Sequence, residues 1–198
     1  CTDCGILYAS PRMTADSYKD FYETDYRQIY GDDDSMVING VLTHGRKLIA
    51  DKLIGYFEDF ELDKPETVFE IGCGNGALLA EFKDAYTLGS DYDGRIVEFG
   101  KGLGRNLVTG GIEVFEQSGK KADLIIMYHV LEHFLDLKVD LARIRALLND
   151  DGILYIAVPG LFVWDRNSVF QNAHTYQFTG NTLDYVMTTS GFDSMHLD

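Results

Sequence analysis

Val68-Phe69-Glu70-Ile71-Gly72-Cys73-Gly74-Asn75-Gly76-Ala77 is the most informative segment of this 198-residue chain. Val68 to Ile71 is a short apolar run bounded by turn residues, the pattern of a buried strand. Glycines at 72, 74 and 76 remove Cβ atoms where the backbone must turn sharply and let a ligand approach closely. Ala77 to Lys83 continues as a predicted helix. Strand, glycine loop and helix together form a setting in which free N–H groups can hydrogen-bond a carboxylate or phosphate.

The same alternation extends downstream. Ala85 to Leu88 reads as a strand, Arg95 to Lys101 as a helix and Asn106 to Val108 as a weak third strand. Asp123 to Tyr128 is a strongly apolar strand, and Leu137, Leu141, Ile144, Leu147 and Leu148 mark a core-facing helical stripe. Asp150-Asp151-Gly152 predicts a turn into a strand from Ile153 to Val158, which Pro159-Gly160 ends. Thr179 to Ser190 reads as a capped helix stopped by Gly191. Phe192 to Leu197 is expected to open another strand, which would leave the sheet truncated at the C-terminus. Upstream of the glycines, Leu42, Leu48, Ile49, Leu53, Ile54 and Phe57 fall on one side of a helix that starts near Val41. Strands apolar throughout and alternating with helices indicate an α/β fold: a doubly wound, mostly parallel sheet covered on both faces.

The first forty residues differ, being rich in tyrosine and aspartate. Ser17 to Tyr30 predicts a helix with Tyr18, Tyr22, Tyr26 and Tyr30 on one face. Gly31-Asp32-Asp33-Asp34-Ser35 breaks it as an acidic loop; without interleaved ligands it reads as solvated rather than metal-binding.

Composition restricts the partners. The net charge of −15, from 32 acidic and 17 basic residues, would repel DNA, RNA or an anionic membrane unless a basic patch intervened. Lys120-Lys121 and Arg143/Arg145 are short and sit among acids, so a small-molecule or protein substrate is expected and nucleic acid is not. No apolar run approaches the roughly 20 residues that cross a bilayer, and no leader pattern argues for export. A cytoplasmic protein is therefore the expectation, although the chain begins at Cys1 and an upstream segment stays open. Oligomeric state is not legible in the sequence. Three cysteines are too few for a disulfide framework. Cys1-x-x-Cys4-Gly5 is half of a zinc ribbon, reading as a severed or vestigial knuckle unless an upstream Cys-x-x-Cys completes it. No metal is otherwise expected.

The cofactor reading starts ambiguous. Gly72-x-Gly74-x-x-Ala77 satisfies the dinucleotide fingerprint. Asp91 follows the second strand nineteen residues after Gly72, where it could accept both ribose hydroxyls or simply be a surface acid. Nicotinamide and S-adenosylmethionine sites share that pairing.

Val68 to Gly76, with Glu70 just before the glycines, resembles the first motif of class I S-adenosylmethionine-dependent methyltransferases. Asp123 to His133, ending Leu131-Glu132-His133, is similar to that family's fourth strand and its continuation. His174-Thr175-Tyr176-Gln177-Phe178-Thr179 with Gly191-Phe192 resembles the segment after the fifth strand. The resemblance implies a Rossmann-like methyltransferase fold over residues 41–198. It implies a cofactor site at Glu70, Gly72, Cys73, Gly74, Asn75, Gly76, Asp91, Tyr92, Tyr128 and His129, with S-adenosylhomocysteine as product. Glu70 would orient the loop or the methionine amino group.

Cys1-x-x-Cys4, Ser10-Pro11-Arg12, Phe21-Tyr22 and Tyr26 are similar to a narrower, zinc-ribbon-linked group acting on sugar nucleotides and other biosynthetic intermediates. There the tyrosine-bearing helix is a lid, so residues 1–40 are expected to form a knuckle remnant and lid. The same resemblance makes His174 the candidate catalytic base; a glutamate usually precedes that histidine, whereas Ala173 stands here. His129 and His133 flank the fourth strand, and His133 reads equally as a structural partner of Glu132. Glu132 and His133 alone do not make a metal site. Phe162, Trp164 and Phe170 are candidates to line a substrate pocket, with aromatic packing as the plain alternative. A nicotinamide-dependent oxidoreductase and a catalytically idle binding domain are the competing readings.

Overall fold

The computed structural model describes residues 1–25, 29, 41–162 and 173–197. Tyr26, Tyr30, the acidic loop 31–35, Trp164 and Phe170 lie outside the described residues.

Five parallel strands form the sheet: β2 (Thr67–Ile71), β3 (Tyr86–Asp91), β4 (Leu107–Thr109), β5 (Ala122–Tyr128) and β6 (Leu148–Ala157), in the order β4-β3-β2-β5-β6. The order reverses between β2 and β5, so the loops leaving these strands diverge and open a crevice at their carboxyl ends. The central strands β2 and β5 are buried along almost their whole length because each face is covered, whereas Asn149 to Asp151 of the edge strand β6 are exposed. Phe69, Ile71, Ile125 and Met127 point to one side, against Leu137, Leu141 and Ile144 of α5 (Leu137–Leu147) and Phe115 of α4 (Glu113–Ser118). Val68, Leu124 and Ile126 point to the other, against Ala50, Leu53 and Phe57 of α2 (Val41–Asp59) and Val97 of α3 (Gly94–Gly102). At the opposite end of the sheet Asp123 fixes the register, accepting hydrogen bonds from the Glu66 and Thr67 amides (3.0 and 2.9 Å) and from Asn149 Nδ2 (2.6 Å).

Three local expectations fail for identifiable reasons. The helix expected over Ala77 to Lys83 is only a 3₁₀ turn at Leu79–Glu81. Thr67 pairs with Tyr86, so the few residues after Gly76 must run back along all of β2. Five strand residues span ~16 Å, more than a nine-residue α-helix covers at ~1.5 Å per residue; the tighter 3₁₀ coil gains ~2.0 Å per residue. Asp150-Asp151-Gly152 does not separate two elements but lies within β6, as a bulge between the Ala122–Leu148 and Leu124–Ile153 pairs. Phe192 to Leu197 forms no strand. Phe192 is instead drawn into the end of α6 (Gly180–Thr189), its amide bonding Met187 O (3.1 Å) while Gly191 bonds Thr188 O (3.1 Å). This is a Schellman closure around Gly191 at φ +85°.

The N-terminal residues are stitched to the other end of the described chain. β1 (Leu7–Tyr8) pairs antiparallel with β7 (Tyr176–Gln177), and Ala9 N bonds Thr175 O at 2.9 Å. Beyond it lies α1 (Ala15–Thr24), capped by Thr14; Ile29 is again helical, its amide bonding Asp25 O at 3.1 Å, and residues 26–28 and 30 of the expected Ser17–Tyr30 helix lie outside the described residues. Tyr18 and Tyr22 share one face of it, with ring centroids 4.7 Å apart.

Candidate functional site

A cavity of about 570 Å³ opens at the carboxyl ends of β2, β3, β4 and β5, with α1 and α2 contributing to its wall. The glycine loop forms its floor. Gly72 has φ +69°, and a Cβ there would come within 2.5 Å of Val130, so only glycine fits this turn. The loop is held from the side: Asp91 Oδ2 accepts from Gly74 N (2.8 Å), Oδ1 from Asp93 N (2.9 Å), and Arg105 Nη1 donates to Asn75 O (2.7 Å). Cys73 is buried beneath it, and burial pushes its thiol up, so it is an inert packing residue.

Glu70 is fully buried, and neither of its oxygens makes a well-formed hydrogen bond among the described residues. Burial pushes its carboxyl up to about 8, opposed by Arg46 and Arg105 and aided by Asp91. Arg46 comes from α2 and lies 4.5 Å above the Tyr128 ring. Its Nη1 is buried without a hydrogen-bond partner among the described residues. A guanidinium with an unsatisfied donor at a cavity wall suits a ligand carboxylate.

After β4, Gly110 to Glu113 form the next stretch of wall, with Gly111 N bonding Glu113 Oε1 at 2.7 Å. Tyr92 stands at the rim, 58% exposed. Asp140 and Arg143 of α5 complete this side, Arg143 pairing with Glu116 at 2.8 and 2.9 Å.

On the β5 side, His129 adopts φ +58°, a left-handed conformation that is uncommon outside glycine and recurs at functional sites. It is pinned by its own amide bonding Ala157 O (2.8 Å). A 3₁₀ turn at Leu131–His133 then carries Glu132, 1% exposed, and His133. His133 Nδ1 lies 3.0 Å from Ala173 O and 2.8 Å from Tyr22 Oη, while Tyr18 Oη donates to the His133 carbonyl. The two α1 tyrosines are thus clasped onto the cavity wall at His133. Burial and the neighbouring His174 hold the His133 imidazolium below its ordinary range, against the pull of Glu132.

Among the residues expected from sequence, Gly72, Cys73, Gly74, Asn75, Asp91, Tyr92, Tyr128 and His129 all line this cavity. Glu70 and Gly76 are not part of the lining. His174 is 6% exposed and packs behind His133, ring centroids 4.8 Å apart, rather than on the wall. Phe162 is 86% exposed and not part of the lining. Sequence reasoning passed over Arg46, the Gly110–Glu113 turn, Asp140 and Arg143. The paired glycines Gly110-Gly111 after a strand could have signalled the second; a lone arginine in a helix gives no signal.

A five-stranded doubly wound sheet with a ligand-sized cavity at its switch point defines a Rossmann-like domain. The chain belongs to the methyltransferase-domain family, which it matches over residues 42–197. No curated protein sequence matches it. Among solved structures it resembles the plantazolicin methyltransferase BpumL in complex with SAH (TM-score 0.67, 18% identity, 88% of this chain and 73% of that one). A SAM-dependent methyltransferase from Archaeoglobus fulgidus is similar at TM-score 0.59 and 21% identity, over 88% of this chain and 76% of that one. Coclaurine N-methyltransferase bound to N-methylheliamine and SAH matches at TM-score 0.54 and 18% identity, over 71% of this chain and 47% of that one. At such identities the likeness is one of fold.

Proposed function

We propose that the chain transfers a methyl group from S-adenosylmethionine to a small-molecule acceptor and releases S-adenosylhomocysteine. The observation that carries this reading is the charge of the cavity. Asp91, Asp93, Glu113 and Asp140 line it against Arg46 and Arg143, so carboxylates outnumber guanidiniums by four to two. A net negative wall suits a sulfonium cation and repels a pyrophosphate. The missing helix points the same way: a three-residue 3₁₀ turn at Leu79–Glu81 supplies little of the dipole that holds dinucleotide phosphates. The Gly74 amide is also already taken by Asp91.

The residues fit the cofactor's parts. Arg46, with its unsatisfied donor, would take the methionine carboxylate, and the Asp91 carboxylate the ribose hydroxyls. Glu70 orients the loop from beneath. The bound sulfonium supplies an activated methyl group, so the protein's main task is to align the acceptor. Proton acceptance falls to the His133–His174 pair: His133 on the wall and His174, the base expected from sequence, directly behind it. The acceptor class supported by the N-terminal resemblance is a sugar nucleotide or another biosynthetic intermediate. Zinc would enter at Cys1 and Cys4 only with a second, upstream Cys-x-x-Cys.

Thermal shift with S-adenosylhomocysteine against NADH tests the cofactor; stabilisation by NADH alone would overturn the reading. Transfer of labelled methyl onto a panel of nucleotide sugars and hydroxylated small molecules tests the activity. Binding of S-adenosylhomocysteine with no transfer to any acceptor would favour an idle binding domain.

A further inference from the structure

Glu132 poses an electrostatic problem that the cofactor reading leaves untouched. Its carboxylate is 1% exposed, and neither oxygen has a hydrogen-bond partner among the described residues. A buried carboxylate without compensation is strongly unfavourable. The groups nearest it are imidazoles held just too far away for a hydrogen bond: His129 Nδ1 at 3.5 Å and His133 Nε2 at 3.8 Å from Oε1. No lysine or arginine pairs with it among the described residues.

The tautomer of His133 sharpens the problem. Its Nδ1 is 3.0 Å from the Ala173 carbonyl, which can only accept, and 2.8 Å from Tyr22 Oη, which can accept as well as donate, so the tautomer with its hydrogen on Nδ1 satisfies both contacts. A neutral ring then has its lone pair on Nε2, the atom that faces Glu132. Two lone-pair donors facing each other in a buried place need a positive centre between them. A ring N–H anchored on a backbone carbonyl, with the other nitrogen left to ligate, is also how metal-binding histidines are oriented. His174 adds the third atom: ligand atoms of Glu132, His133 and His174 all lie within 4.8 Å of one another.

We propose that Glu132, His133 and His174 form a binding site for one divalent first-row transition cation, of the zinc or manganese kind, at the edge of the cavity. Two imidazole nitrogens and one carboxylate oxygen are the donor set such ions take. Donor atoms around one such ion stand roughly 3 to 3.5 Å apart, so the observed cluster closes by modest side-chain rotations. Three ligands leave at least one coordination position open, and His133 and His129 place that position beside the cavity wall. The chain reaches this geometry through β7, which begins two residues after His174 and is anchored by β1.

The cation changes the role of His174 from proton acceptor to ligand, and it names an acceptor class. An oxygen held on a divalent cation loses its proton near neutral pH, so acceptors carrying a hydroxyl are the ones this site would take. The acceptor class rests on the methyl-transfer reading; the binding of the cation does not.

The test is a titration of the purified, chelator-treated chain with Co²⁺ alone, read by its visible d–d absorption. One Co²⁺ per chain is expected, displaced by Zn²⁺. Glu132→Gln and His174→Gln are each expected to weaken binding by about 10-fold or more, whereas the Cys1→Ser/Cys4→Ser double variant keeps the spectrum. Should either site variant fail to fold by circular dichroism, the wild-type chain still decides. Bound Co²⁺ must broaden the ring proton signals of His133 and His174 selectively. Absence of d–d absorption, absorption lost with the cysteines, or histidine signals left sharp would each overturn the proposal, leaving a shared proton between Glu132 and His133. Cobalt bound without methyl transfer to any acceptor would sink the methyltransferase reading and leave the metal site standing.

Discussion

Asp91 does two jobs with one carboxylate, and this makes it the most informative residue to change. It already holds the Gly74 and Asp93 amides, and it lines the cavity in which the proposed cofactor would sit. Charge-assisted hydrogen bonds contribute about 1.5 to 3 kcal/mol each. Asp91→Ala is therefore expected to weaken S-adenosylhomocysteine binding ~10- to 100-fold, measurable by calorimetry. Glu70 makes a pH prediction. Its folded value of about 8 lies above the ordinary 4.5, so its favourable contribution is complete below pH 4.5 and is lost as pH rises through about 8. Glu70→Gln should remove that dependence. Melting temperatures of the two proteins, compared from pH 5 to 8.5 without ligand, should diverge in favour of the variant as pH rises. A constant difference would show that Glu70 is already ionised in the folded state. The glycines, Asp91 and Glu70 were legible in the sequence because each sits at a fixed distance from a strand end. Arg46 was not, since its role depends on α2 packing across β2 and on the Tyr128 ring beneath it.

Elements followed the sequence where local chemistry agreed with length. Thr179 was readable as a cap and is one: Thr182 N bonds its Oγ1 at 3.2 Å, and Thr182 Oγ1 accepts from Thr179 N at 2.9 Å. Thr179→Ala should cost about 1 kcal/mol in urea unfolding. Leu141 of α5 was readable as core and is fully buried against the sheet. Leu141→Ala is expected to cost about 2 to 5 kcal/mol through the cavity it leaves; a loss below ~1 kcal/mol would mean that α5 does not pack as described. The segment after the glycine loop was misread because propensity says nothing of the distance a crossover must span. The two-residue strands β1 and β7 were missed for a different reason, since two residues carry no periodicity. The tyrosine face of α1 was visible in the spacing of Tyr18 and Tyr22, but its seat on His133 is tertiary.

At the scale of the molecule, the apolar strands and their alternation with helices specified the doubly wound sheet, while the order of the strands came only with the structure. The net charge of −15 has an outcome that can be measured. The chain should show no retention of DNA or RNA in mobility-shift assays at moderate salt, and ligand affinity should change little with salt where binding depends on the enclosed Arg46 and Asp91. Among the described residues no helix is long and apolar enough to cross a membrane.

The stitch between the first residues and the segment after His174 also orders events in time. Arg12 reaches Tyr176 across 164 residues of sequence, and β1 pairs with β7 over a similar separation. Loop closure over such lengths costs little more at equilibrium than over shorter ones, but contacts so far apart in the chain are slow to meet. The parallel sheet is built from nearer neighbours and can assemble first. Competence should therefore trail structure during refolding. Far-ultraviolet dichroism is expected to recover before S-adenosylhomocysteine binding does, with the interval between them marking the moment at which the N-terminal strap finds its strand.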